Sequence, residues 1–346
     1  WMLVQGLRRY GFRQKADSLA RDILELPMRF GFYEYFDSFD GRGYGSRDFS
    51  WTASLFIDIA YENYLKAGEK PFAGRIQKTL YRARVLNSTD QKTDVPPEKI
   101  SQEMLSAIRE LRLHFYTTEG RVDYDEMKQS DEYRRYKSMA ASLRDFDLTL
   151  LKIEEEKKAF WINLYNTIVV DAVIASGIRE SVQEVLGFFA NMKYDIGGVL
   201  FSPDDIEHGI LRANKMKPSR LWRQFGVMNP KKAYALQSLD ARIHFALVCG
   251  SRSCAPIKYY SPETVDNELA LAAKNFINSS EFIVIHEEKR MLISSIFKWY
   301  MSDFAGAAGV IDFIKKYIVD DDKREFLESV ADIKVDYLYY DWNLNK

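Results

Sequence analysis

Apolar positions recur at three- and four-residue intervals from the start of the chain: Leu3, Leu7 and Tyr10, then Ala16, Leu19, Ala20, Ile23 and Leu24. That period marks amphipathic helix, and it predicts two helices that part near Gly11, the second ended by Pro27 and Gly31. Residues 31–50, with Gly41, Gly43 and Gly45 and little helical period, read as a loop dense in aromatic residues. Ser50 can cap a third helix over 51–65, whose Ala53, Phe56, Ile57, Ala60 and Tyr64 make one apolar stripe.

The pattern changes after Lys66. Over 67–100 basic residues outnumber acidic ones and Pro96-Pro97 closes the stretch, which predicts a solvated linker. Helices are expected at 100–115, 129–153 and 157–176, the last stopped by Gly177. Residues 194–200 predict a strand pair turned on Gly197-Gly198. Ser202, Pro203, Asp204 and Asp205 open a helix through Arg212. The run 243–248 reads as the clearest strand and leads directly into Cys249-Gly250-Ser251-Arg252-Ser253-Cys254. A helix at 262–278, a strand at 282–286 and further helix at 293–303 follow. The expected fold class is therefore mixed: an all-α unit over 1–66, a linker over 67–100, and an α+β unit over 101–346 with more helix than strand.

The 346 residues are 47% hydrophobic, enough to bury the cores of two domains. The 49 basic residues nearly balance 50 acidic ones, which leaves no electrostatic footprint for nucleic acid. Two cysteines exclude a disulfide scaffold, and no apolar run approaches the roughly 18 residues of a membrane span. No phosphate loop or dinucleotide fingerprint occurs, so no cofactor is expected. The chain begins at Trp1 inside a helical pattern, without an initiator Met or a signal peptide, and reads as a piece of a longer protein. Its missing upstream part would then partner residues 1–66. A leader cannot be judged from such a start, and a soluble, cytoplasmic protein is the default expectation.

Within residues 31–37, Glu34 stands between aromatic residues, and the glycine loop leads to Phe49-Ser50-Trp51-Thr52. Aromatic rings stack on sugar faces while a carboxylate polarises water, although a capping carboxylate in a surface loop has the same composition. The Gly6-Leu7 and Tyr10-Gly11 helix end, the Phe32-Tyr33-Glu34-Tyr35 loop and the Phe49-Ser50-Trp51-Thr52 helix start resemble the last part of the helical-toroid glycosidases. These are the glycoside hydrolase family 63 group, with its mannosylglycerate hydrolase and trehalase relatives. The resemblance implies the closing helices of an (α/α)6 toroid acting on a carbohydrate substrate with inversion. It places Glu34 as general base and Tyr33, Tyr35 and Trp51 against the substrate. An inverting site needs a second carboxyl group roughly 6.5 to 9.5 Å away. In the family that aspartate lies far upstream, before the position of Trp1, so residues 1–66 alone would be inactive.

Five islands in the second unit stand in order: Gly120-Arg121-Val122-Asp123-Tyr124, residues 158–166 with Trp161, Asn163 and Asn166, and residues 204–212 with Asp204, Glu207, His208 and Arg212. Residues 244–256, with His244, Cys249, Arg252 and Cys254, and Phe297-Lys298-Trp299-Tyr300 complete them. Together they resemble the family named domain of unknown function 547, a resemblance that supplies a domain identity and no reaction.

Residue chemistry leaves several readings open. Asn163 and Asn166 share one side of an apolar helix and, if buried, need partners such as neighbouring loops. Asp204 lies one turn before His208 and Arg212 one turn after, a geometry for an oriented acid/base with a raised imidazole pKa, or for a salt-bridge ladder. Cys249 at a strand end, with His208 as base, suits a thiol-dependent hydrolase or acyl transferase; a buried, inert cysteine is the alternative. Arg212 and Arg252 could instead hold a small or anionic ligand in a non-catalytic module. A zinc site from Cys249, Cys254, His208 and His244 lacks the short paired spacing of the second ligand pair, and no metal is expected.

Overall fold

The computed structural model describes residues 2–30, 32–33, 35–36, 43–44, 52, 55–56, 59, 83–118, 120–185, 187–218, 223–330 and 332–346. The chain divides into two compact units, Trp1–Arg82 and Ala83–Lys346.

In the first unit, α1 (Met2–Arg9) and α2 (Arg13–Phe30) part at Gly11, whose φ of +84° suits a residue without Cβ. Val4, Ala16, Ala20 and Leu24 bury one face together with Phe56 and Ile59. Pro27 does not end α2. It sits in the last turn, where it forfeits one backbone bond, and the helix runs on to Phe30. The aromatic loop is also not wholly irregular: β1 (Tyr35–Phe36) and β2 (Gly43–Tyr44) pair antiparallel, with Tyr35 opposite Tyr44. Thr52, Leu55, Phe56 and Ile59 are helical, as expected for 51–65. The other residues of 51–66 and residues 67–82 of the expected linker lie outside the described residues.

The second unit begins with β3 (Arg84–Val85), α3 (Ile100–Phe115), α4 (Tyr124–Gln129), α5 (Asp131–Ser142), α6 (Glu154–Ser176), α7 (Phe188–Asn191), β4 (Met192–Ile196) and β5 (Val199–Phe201). A π-helix (Asp205–Leu211) and a 3-10 helix (Ala241–Phe245) follow. The chain then forms α8 (Val265–Ile277), β6 (Phe282–Ile285), β7 (Arg290–Ile293), α9 (Ser295–Trp299), a 3-10 turn (Met301–Phe304), α10 (Gly306–Tyr317), α11 (Asp321–Ser329) and β8 (Lys334–Tyr337). One three-stranded sheet runs β3-β4-β5 and the other β6-β7-β8.

The centre of this unit is α6. Glu156 reaches back to the Lys152 and Ile153 N–H groups at 2.7 and 3.2 Å, and Gly177 closes the helix in the left-handed region. Contrary to the expectation that no stretch is long enough for a membrane span, its length and composition would allow it to cross a bilayer, but 89% of its apolar window is buried inside the fold, which identifies a core helix. Its Asp171, fully buried, accepts from Tyr133 of α5, from Lys137 at 2.7 Å and from Tyr194 of β4 at 2.7 Å. A buried carboxylate requires such donors. Here they tie α5 and β4 to one helix.

In the second unit three expectations are corrected. The helix expected over 129–153 ends at Ser142 and gives way to short 3-10 turns. Residues 83–99, expected as linker, are part of the fold: β3 pairs parallel with β4, and the buried Asn87 donates to Ala140 O and Asp195 O and accepts from the Asp195 N–H. The expected strand at 243–248 does not form. Asp240 caps a 3-10 helix there, and the backbone beyond it finds its partner in a side chain: Asn166 donates to Ala246 O at 2.9 Å and accepts from the Val248 N–H at 2.8 Å. One side-chain amide replaces a neighbouring strand.

Candidate functional site

The segment that carries Glu207 and His208 starts from a reciprocal cap. Ser202 Oγ accepts from the Asp205 N–H at 3.2 Å, and Asp205 Oδ2 accepts from the Ser202 N–H at 3.3 Å. The turns that follow are wider than an α-helix, and the Arg212 N–H reaches Glu207 O, five residues back, at 2.8 Å. Such π segments occur often at functional sites. Gly209 has a packing reason. A Cβ there would meet the Phe225 ring at 2.3 Å, and Asn214 fixes Phe225 by bonding both its N–H and its C=O.

Around this segment lies a buried charged cluster. Glu207 accepts from Tyr165 OH at 3.1 Å and Tyr300 OH at 2.5 Å. Burial pushes its carboxyl up, but His208, the Tyr300 hydroxyl, His244 and Arg212 outweigh this and hold it at about 2. Arg212 NH1 lies 3.0 Å from His208 Nδ1, and because a guanidinium only donates, that nitrogen accepts and the ring is neutral. Burial, helped by Lys217 and Arg212, pushes His208 down to about 4 against the pull of Glu207 and Asp204. Asp204, expected to raise that pKa, stands 3.8 Å from Nε2 and is taken up by Lys217 at 2.9 Å. The expected raised imidazole pKa is therefore reversed, because desolvation dominates.

Arg212 also grips Asp303 with two bonds, Nε to Oδ2 at 2.6 Å and NH2 to Oδ1 at 3.0 Å. His244 Nε2 meets the same carboxylate at 2.9 Å, and its ring stacks on Tyr300 with centroids 3.9 Å apart. Asp303 lies below the ordinary carboxylate range: burial opposes this, and bonds from His244 and Arg212 prevail. Burial likewise lowers the His244 pKa. With both imidazoles neutral, Asp204, Glu207 and Asp303 are matched by Arg212, Lys215 and Lys217. The arrangement holds an ionised glutamate and two neutral, oriented imidazoles out of water.

Other expected partnerships do not form. Cys249 and Cys254 are joined to each other as a disulfide. The Cys249 sulfur lies 3.0 Å from Ser251 Oγ and 3.1 Å from Tyr340 OH, while His208 is engaged with Arg212 and the acidic residues. The thiol and base pair is thus absent: an oxidised sulfur supplies no thiolate. Paired sulfurs likewise leave the zinc reading without its two thiolates. Arg212 is 1% exposed and its donors serve Asp303, His208 and Met216 O, so it cannot clamp an external anion; the Arg252 side chain is exposed. Asn163 clamps Tyr260 through its N–H and C=O at 2.8 and 2.7 Å, one turn before Asn166 does the same for residues 246–248. Trp161 packs between Phe160 and Phe201 in the core.

The sequence singled out neither Tyr165 nor Asp303. Tyr165 lies beside Asn166 in a motif already noted, and Asp303 follows the Tyr300 motif by one helical turn.

In the first unit, Thr52 Oγ1 donates to Tyr33 O at 2.6 Å, which joins the aromatic loop to the start of the following helix. The backbone of Tyr35 lies in β1. Glu34 and Trp51 lie outside the described residues.

Two family models match separate parts of the chain. The sequence model of the mannosylglycerate hydrolase MGH1-like glycoside hydrolase domain matches residues 1–52, and that of the protein of unknown function DUF547 matches residues 148–277. The chain thus carries a glycoside-hydrolase-like segment followed by a DUF547 domain. A mannosylglycerate hydrolase of Rubrobacter radiotolerans is 52% identical over 62 residues, which are 18% of this chain and 14% of that protein. One of Thermus thermophilus is 47% identical over 57 residues, 16% of this chain and 14% of its own. Mannosylglycerate hydrolase MGH1 of Selaginella moellendorffii is 42% identical over 57 residues, 16% of this chain and 12% of its own. The chain therefore spans only about one-seventh of the length of these relatives. No solved structure matches.

Proposed function

We propose that residues 1–66 are the closing helices of an (α/α)6 glycoside hydrolase that cleaves a glycosidic bond with inversion, with mannosylglycerate as the first substrate to test. Glu34 is the general base, Tyr33, Tyr35 and Trp51 face the sugar, and an aspartate from the upstream part of the toroid protonates the leaving group. The observation that carries the reading is the 52% identity to a mannosylglycerate hydrolase over 62 residues, together with a family match that includes Glu34. The bond from Thr52 to Tyr33 supports it by bringing two of the resembling motifs together. Leu3, Tyr10, Phe12 and Leu55 stand exposed, apolar surface of the kind the other helices of a toroid would cover. The DUF547 unit is proposed as a separate appended domain that begins near Ala83.

The test is a chimera. The matching segment of the Rubrobacter radiotolerans enzyme is replaced by the corresponding residues of this chain, and mannosylglycerate hydrolysis is followed. Activity retained in the chimera and lost at least about a thousandfold in its Glu34→Gln form supports the assignment. An unchanged rate in Glu34→Gln removes Glu34 as the base.

A further inference from the structure

The disulfide between Cys249 and Cys254 closes a small ring, and each residue between the cysteines holds the last part of the chain. Gly250 O accepts from the Asn345 N–H at 3.0 Å, and Ser251 bridges to Leu344. The Arg252 N–H donates to Asn343 O at 2.9 Å, and Ser253 bonds Asp341 through its N–H at 3.4 Å and its Oγ at 2.9 Å. Tyr340 OH lies 3.1 and 3.2 Å from the two sulfurs. Most of these are backbone bonds, so they depend on the shape of the ring, which Gly250 enters at φ +79°. Tyr340 also packs on Trp299 at 4.9 Å, next to the tyrosine that holds Glu207. Both cysteines are only half-buried.

We propose that the Cys249–Cys254 disulfide is a redox-modification site that latches residues 340–345 onto the DUF547 unit. A dithiol reductant is the co-reactant. Its thiolate attacks one sulfur and expels the other as thiolate; its second thiol then resolves the mixed disulfide. Two electrons pass to the protein, which ends with two thiols after proton uptake, and the reductant ends as a disulfide. Reduction removes the closure of the ring, and loop entropy then opposes the aligned set of bonds by a factor of roughly 30.

The experiment is hydrogen exchange on the full chain, oxidised and then reduced with dithiothreitol. The expected result is exchange about 30-fold faster at the amides of Arg252, Ser253 and Asn345 after reduction, with α6 amides unchanged and protection restored on reoxidation. The Cys249→Ser, Cys254→Ser double variant should exchange at the fast rate in both conditions. Unchanged exchange on reduction overturns the latch, as do two freely titrating thiols under oxidising conditions. Accelerated exchange throughout α6 overturns it as well, because the disulfide would then hold the whole fold and not one segment.

Discussion

Arg212 and Asp303, 91 positions apart, meet through two bonds at 2.6 and 3.0 Å inside the second unit, the arginine 1% exposed and the carboxylate sealed. The pair joins the π-helix to the turn after α9 and gives His244 its acceptor. Removing one partner of a buried pair strands the other charge. Asp303→Ala should therefore cost about 3 to 5 kcal/mol in chemical denaturation. A loss below about 1 kcal/mol would mean that water reaches Arg212 and that the cluster is not sealed.

His208 gives the fold a distinct pH signature. Its folded pKa of about 4 lies below the ordinary 6.5, so the unfolded chain binds the proton more tightly. Stability is then full above pH 6.5 and falls as pH drops towards 4, by about 3 kcal/mol for this one group. Glu207, held at about 2 against an ordinary 4.5, acts in a lower window, between those two values. His208→Gln should flatten the stability profile between pH 6.5 and about 4.5. An unaltered slope in that interval would assign the proton elsewhere.

Gly209→Ala places a methyl group where the Phe225 ring lies, and such overpacking costs roughly 1 to 3 kcal/mol. In a double-mutant cycle with Phe225→Leu the two costs should be less than additive. Strict additivity would show that the two residues do not share the space.

Asn166→Ala deprives two buried backbone groups of their partner, which costs roughly 2 to 4 kcal/mol, and the Val248 amide should lose protection in hydrogen exchange. Asn166→Asp keeps the acceptor for Val248 and loses the donor to Ala246. Its Val248 amide should therefore stay protected longer than in the alanine variant.

Local signals in the sequence suffice where the deciding partners are close. The Gly197-Gly198 turn between β4 and β5 and the Gly177 stop of α6 depend on residues within a few positions. The run 243–248 looks like a strand because its partner, Asn166, lies 80 residues away from Ala246, and a short apolar run looks alike in a strand and in a buried turn. Residues 83–99 look polar and linker-like, yet the single Asn87 engages Ala140 and Asp195 across the fold. The cluster was half legible. Glu207, His208 and Arg212 are neighbours on one segment, whereas Asp303 and the direction of the His208 shift follow from burial, which spacing does not encode.

The central claim, inversion with Glu34 as base, is tested most directly by time-resolved proton NMR of the first sugar released by the chimera described above. The account predicts a first-formed anomer opposite to that of the substrate, with the signal absent in Glu34→Gln. A first-formed anomer that retains the substrate configuration, or release at the parent rate from Glu34→Gln, would contradict it.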